Sequence, residues 1–157
     1  MSVQVGQQAP DLKLGATTGG EISLAQYEGD RTVVLLFFPL AFTSVCTNEL
    51  SIMRDEYEAY TSKGAQVLAA SVDSPFTLKE WADRLELPFP LLSDFNKEAA
   101  RAFGALHEDL MGLKGVAKRS AFVIDKDGVV RYSWISDDPG QLPNFEELKA
   151  AVEKAAS

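Results

Sequence analysis

The chain has 157 residues, 46% of them hydrophobic, which is enough for one domain (residues 1–157) with a sizeable core and too few for two. With 15 basic against 23 acidic residues the net charge is −8 and no Lys/Arg cluster stands out, so nucleic acid is excluded as the expected partner. The longest apolar stretch, within residues 32–42, is about half a membrane span, no basic-then-apolar leader opens the chain, and one Cys with one His excludes an internal disulfide and a structural zinc site. A soluble, cytoplasmic protein with no membrane partner, metal or cofactor is therefore expected.

In chain order, residues 21–24 are a short strand candidate and the apolar run 32–38 a buried central strand. Residues 44–62 follow as a helix ending near Gly64, with Leu50, Met53, Tyr57 and Tyr60 spaced by three and four along its buried stripe. Residues 66–72 are a strand, and 75–85 a helix with Pro75 at its start. Residues 91–94 are a short strand, and 97–103 a short helix stopped by Gly104. Residues 121–125 and 129–134 flank Lys126-Asp127-Gly128 and predict an antiparallel hairpin. Residues 145–156 are a closing helix with Asn144 as N-cap and Glu147 as its capping-box partner. A βαβ core followed by a hairpin and a terminal helix predicts an α/β fold with a mixed central sheet flanked by helices.

The only cysteine, Cys46, follows the central strand closely. Pro39 ends that strand because it has no N–H for the ladder, and Cys46 falls in the first turn of the next helix. Unpaired amides and the positive dipole end there favour negative charge on a sulfur. A lone cysteine in an arbitrary protein is more often a small core hydrophobe. Core packing alone, however, calls for neither the hydroxyls of Thr43, Ser44 and Thr47 nor the proline seven residues earlier. With Thr43 as N-cap, Cys46 is the third helical residue and the Thr hydroxyl and loop amides stand near its sulfur.

Pro39-x-x-x-Thr43-x-x-Cys46, preceded by Phe37-Phe38, resembles the active-site motif of the peroxiredoxin family. The resemblance runs from Gly6-Gln7-Gln8-Ala9-Pro10-Asp11-Leu12 through Phe89-Pro90-Leu91-Leu92-Ser93-Asp94 to Arg119-Ser120-Ala121-Phe122-Val123-Ile124-Asp125. It implies a thioredoxin-like fold and thiol-dependent peroxide reduction. With no second cysteine, the chain looks most like the one-cysteine alkyl-hydroperoxide-reductase-E type. It also stands close to the bacterioferritin-comigratory group, many members of which carry a cysteine where this chain has Ser51.

The resemblance implies that Arg119 is the active-site cation and that Glu49, one turn beyond Cys46, belongs to the site's polar network. Taken alone, Arg119 reads as a surface arginine and Glu49 equally well as a solvated helix carboxylate. The physical demand is separate: thiolate attack on an O–O bond develops charge on the leaving oxygen, which donors must meet. Thr43 and the amides at Val45 and Cys46 are the local candidates, Pro39 shields the sulfur, and Leu40 and Phe42 rim a small apolar pocket. Trp81 matches the family's aromatic near the site, although a mid-helix tryptophan is more often core. His107 has no Asp or second Cys nearby in sequence and reads as structural or exposed. Glu at position 49 excludes a Cys-x-x-Cys pair.

The implied reaction is attack of the Cys46 thiolate on H2O2, an alkyl hydroperoxide or peroxynitrite to give a sulfenic acid. Its reductant must come from outside: a low-molecular-weight thiol, a glutaredoxin- or mycoredoxin-like protein, or thioredoxin. A homodimer is the default expectation. The alternatives are a binding or chaperone module that keeps the scaffold without turnover, and a redox sensor whose sulfenic acid forms a mixed disulfide with a client.

Overall fold

The computed structural model describes residues 3–156; Met1, Ser2 and Ser157 of the expected 1–157 unit lie outside them. The strands are β1 (Lys13–Ala16), β2 (Glu21–Ser23), β3 (Thr32–Phe37), β4 (Ala65–Ser71), β5 (Leu91–Ser93), β6 (Ser120–Ile124) and β7 (Val130–Ile135). The helices are α1 (Ser44–Asp55), α2 (Tyr57–Thr61), α3 (Pro75–Leu85), α4 (Glu98–Ala102) and α5 (Phe145–Ala156). All seven strands form one sheet in the order β2-β1-β5-β4-β3-β6-β7. β3, β4 and β5 are parallel and every other pairing is antiparallel, so the sheet is mixed, as the element order predicts.

β3 has no polar alternation because both of its faces are covered. Val34, Leu36 and Phe38 join Cys46, Leu50 and Met53 of α1, Leu78 and Trp81 of α3, and Leu148 and Val152 of α5 in one buried cluster. Val33, Leu35 and Phe37 point the other way, into a cluster with Ala99 and Ala100 of α4, Phe103 and Phe122. Phe37, Phe103 and Phe122 stack there with ring centroids 5.0 to 6.1 Å apart.

One strand is added to the expected elements and two expectations change. β1 escapes the sequence pattern because it is short and half-exposed, yet it pairs with β2 around a turn in which Gly19 (φ 102°) and Gly20 (φ 67°) supply left-handed backbone. The expected 44–62 helix breaks at Glu56 (φ −105°, ψ 12°) into α1 and α2. After the restart Tyr60 is in the core, and Tyr57 meets Phe89 at 5.7 Å and accepts from Gln66 Nε2 at 3.2 Å. At α5 the N-cap is made, since Asn144 Oδ1 accepts from the Glu147 N–H at 3.0 Å. Glu147, however, reaches back to the Asn144 side chain and not to its backbone.

Because β3, β4 and β5 run parallel, Phe42, Phe76 and Phe95, which follow them, emerge at one end of the sheet. They are 48%, 84% and 60% exposed. Among the described residues no helix is long and apolar enough to cross a membrane.

Candidate active site

Sheet register explains how a residue near position 46 meets one near 119. β3 and β6 pair antiparallel with Phe37 opposite Ser120, so Arg119 lies beside the Phe38-Pro39 exit that leads into α1. Arg119 Nη2 donates to Cys46 Sγ at 3.2 Å and Nη1 donates to Glu49 Oε1 at 2.6 Å. Nε and Nη2 both donate to the Pro139 carbonyl at 3.2 and 2.8 Å. The guanidinium is thus fixed from three sides. Cys46 and Arg119 are 1% exposed and Glu49 is 0% exposed, so the network is dry and its Coulomb interactions are weakly screened.

Burial decides between the two sequence readings of Glu49 and Arg119. Glu49 is no solvated carboxylate: burial pushes it from 4.5 to about 7, and Arg119 works in the opposite direction. Its Oε2 has no hydrogen-bond partner among the described residues. Burial also works against the Arg119 cation, but Glu49 and then Cys46 outweigh it and raise its pKa above the ordinary value. A permanent cation beside the sulfur stabilises negative charge there.

α1 begins at Ser44, so Cys46 is the third helical residue as expected, but Thr43 does not cap the helix. Its hydroxyl instead donates to the Leu40 carbonyl at 2.8 Å, closing a tight turn over residues 40–43. The reason is local: Phe42 stands at φ 68°, which folds Thr43 back over Leu40. A left-handed Phe costs about 1–3 kcal/mol and persists only where its neighbours enforce it. The Thr47 N–H is the first to find the helix ladder, on the Thr43 carbonyl at 2.9 Å. Among the described residues, the first-turn amides of Val45 and Cys46 therefore have neither a ladder partner nor a side-chain cap.

The remaining candidates divide. Pro39 is buried beside the strand end, while Leu40 and Val45 are half-buried and Phe42 is half-exposed. Trp81 is 2% exposed, its ring 5.3 Å from that of Phe38 and 6.0 Å from that of Phe42. His107 is buried, its backbone N–H donating to the Val116 carbonyl at 2.8 Å, and burial followed by Lys118 lowers its pKa. Three contributors escaped the sequence reading: Asp73, whose Oδ2 accepts from the Ala41 N–H at 2.8 Å; Arg84, whose guanidinium lies 5.7 Å from the Phe42 ring centroid; and the Pro139 carbonyl. A backbone carbonyl leaves no trace in composition. Asp73 could have been flagged as an acid just past a buried strand adjoining β3.

The sequence pattern of the AhpC/TSA family matches residues 5–133. Alkyl hydroperoxide reductase E of Mycobacterium tuberculosis is 37% identical over 142 residues, covering 89% of this chain and 90% of that protein. Peroxiredoxin TSA1 of Saccharomyces cerevisiae is 41% identical over 149 residues, covering 88% and 74%. Among solved structures, peroxidoxin BcpB from Mycobacterium tuberculosis superposes with a TM-score of 0.87 at 28% identity, covering 99% of both chains. The sheet order and flanking helices are those of a thioredoxin-like peroxiredoxin, and the one cysteine fits a one-cysteine mechanism. The chain belongs to the AhpC/TSA family, and its chemistry is thiol-dependent reduction of peroxide.

Proposed function

We propose that the residues around Cys46 divide the reaction as follows. The Cys46 thiolate attacks the terminal oxygen of the peroxide, the S–O bond forms as the O–O bond breaks, and the electron pair leaves on the distal oxygen as hydroxide or alkoxide. That oxygen takes up a proton to leave as water or an alcohol, and Cys46 becomes a sulfenic acid. Arg119 stabilises the thiolate and the developing oxyanion. Thr43 donates its hydrogen to Leu40, so its lone pairs are free to accept from the peroxide O–H. The Val45 and Cys46 amides donate to the peroxide oxygens, and Pro39 keeps water off the sulfur. Glu49 fixes the Arg119 fork, while Leu40 and Phe42, with Trp81 behind, form the apolar entrance.

The observation that carries this reading is the 3.2 Å contact from Arg119 Nη2 to Cys46 Sγ in a fully buried setting, next to helix amides that lack partners. One equivalent of H2O2 added to reduced protein, followed by intact mass, tests it. The expected result is a gain of one oxygen at Cys46 that is absent in Cys46→Ser; no gain in the unsubstituted chain would sink the assignment.

The sulfenic acid then reacts with two external thiols, returning Cys46 and releasing a disulfide and water. The reading places that reductant among low-molecular-weight thiols, glutaredoxin- or mycoredoxin-like proteins and thioredoxin. It also takes residues 1–157 as one domain, supported by two apolar clusters that share one sheet, acting in the cytoplasm as a homodimer. The exposed Phe42, Phe76 and Phe95 at one end of the sheet support self-association.

A further inference from the structure

The turn over residues 40–43 carries Thr43 and aims the first amides of α1, and a side chain outside the motif holds it. The parallel register pairs Phe37 with Ala70; carried three residues past the strand ends, it brings Asp73 beside Leu40. Asp73 Oδ2 accepts from the Ala41 N–H at 2.8 Å and from the Ser71 hydroxyl at 2.5 Å. The Asp73 N–H in turn donates to Ser71 Oγ at 3.2 Å, and Ser93 Oγ donates to the Asp73 carbonyl at 2.7 Å. Asp73 is therefore clamped to the ends of β4 and β5, two strands of the rigid sheet, before it reaches the turn.

We propose that Asp73 is a positioning residue for peroxide activation: by holding the Ala41 amide it enforces the left-handed Phe42 and, through it, the placement of Thr43 and the Val45 and Cys46 amides. The turn is anchored by two bonds with different work. The Thr43 hydroxyl bond to Leu40 closes it internally, and the Asp73 bond ties it to the sheet. Trp81 and Arg84 lie 6.0 and 5.7 Å from the Phe42 ring centroid, but the Ala41–Asp73 bond fixes the backbone immediately before the strained residue. Arg119 is held independently, by Glu49 and Pro139, so loss of Asp73 separates the two halves of the site. The thiolate keeps its cation while the peroxide-binding donors drift, and a displacement of about 1 Å in such donors is enough to cost up to about 100-fold.

This inference rests on the roles proposed for Cys46 and Thr43. It is tested by measuring two rate constants at Cys46, oxidation by H2O2 and alkylation by iodoacetamide, in the unsubstituted chain and in Asp73→Ala, Asp73→Glu and Asp73→Asn. Ala removes the acceptor, Glu keeps the charge but moves the acceptor by one methylene, and Asn keeps an acceptor in place. Oxidation is expected to slow about 10- to 100-fold in the Ala and Glu variants, with alkylation within about threefold of the unsubstituted chain and Asn recovering most of the lost rate. In the Thr43→Val background Asp73→Glu then adds little further loss, because both act through the same turn. If the Ala variant does not fold, the Glu and Asn variants carry the comparison. Ala or Glu oxidising at the unsubstituted rate, Asn no faster than Glu, or oxidation and alkylation falling in equal proportion would each overturn the proposal. Failure of the unsubstituted chain to consume H2O2 would instead remove the reading on which it rests.

Discussion

Two arginine–carboxylate pairs bracket strand β6, and they serve opposite ends. Asp125, just after the strand, is 8% exposed and accepts from the Asp127 and Val129 amides at 2.9 and 3.0 Å and from Arg131 Nε at 2.5 Å. Burial tends to raise it, but those bonds prevail and leave it below the ordinary carboxylate value. Glu49, paired with Arg119 just before the strand, accepts at one oxygen, has no partner for the other among the described residues, and is raised to about 7. A carboxylate with its acceptor sites filled pins a hairpin. One left half-satisfied in a dry site makes its charge depend on pH near neutrality and leaves the cation beside it shared with the sulfur.

The comparison breaks most sharply at Arg119. Arg119→Met is expected to lower the H2O2 rate constant by about 100- to 1000-fold. Without the cation the buried Glu49 stays protonated at neutral pH, so the accompanying loss of stability should be small there and grow as pH rises above about 7, as read by denaturant unfolding beside stopped-flow oxidation. Asp125→Asn is the matched control: it should leave the oxidation rate unchanged and cost about 1–3 kcal/mol from weakened turn bonds. Because the folded Asp125 pKa lies below 3.8, that stabilisation is present above 3.8 and is lost as pH falls through the folded value, so the difference from the variant shrinks in acid.

Glu49→Gln sharpens the other side. The folded pKa is raised, so the contribution of Glu49 to stability is full below 4.5 and is lost as pH rises through about 7. The stability of the unsubstituted chain relative to Glu49→Gln should therefore decline over that interval. Any inflection near 7 in the pH profile of the oxidation rate should disappear in the variant. The smallest effect is expected at the exposed Lys79–Asp83 pair, 2.7 Å apart on α3, where Lys79→Ala should cost only about 0.3–0.5 kcal/mol and leave the rate untouched.

Those differences also trace what the sequence could reveal. The central strand, α3, α5 and the β6–β7 hairpin were legible because their apolar runs, Pro75, Asn144 and Gly128 are signals carried by the elements themselves. β1 and the break at Glu56 were not, since one depends on a partner strand and the other on where Tyr57 and Tyr60 must point. At the site, the motif resemblance pointed to Cys46, Thr43, Pro39 and Arg119. The Thr43 capping bond was misjudged because Phe42 at φ 68° is not a conformation a phenylalanine advertises. Glu49 could not be resolved from a surface carboxylate until Arg119, seventy residues away, was brought to it by the β3–β6 register. Asp73 and the Pro139 carbonyl act through backbone contacts across the fold and have no motif of their own.

A dry, arginine-held thiolate at the start of α1 should react with peroxide far faster than a cysteine in water. The most direct test is the second-order rate constant of fully reduced protein with H2O2 by stopped-flow fluorescence, beside free cysteine and Arg119→Met under the same conditions. The rate constant of the unsubstituted chain should stand orders of magnitude above free cysteine, with most of the advantage lost in Arg119→Met. A rate equal to that of free cysteine, or one indifferent to Arg119, would contradict it.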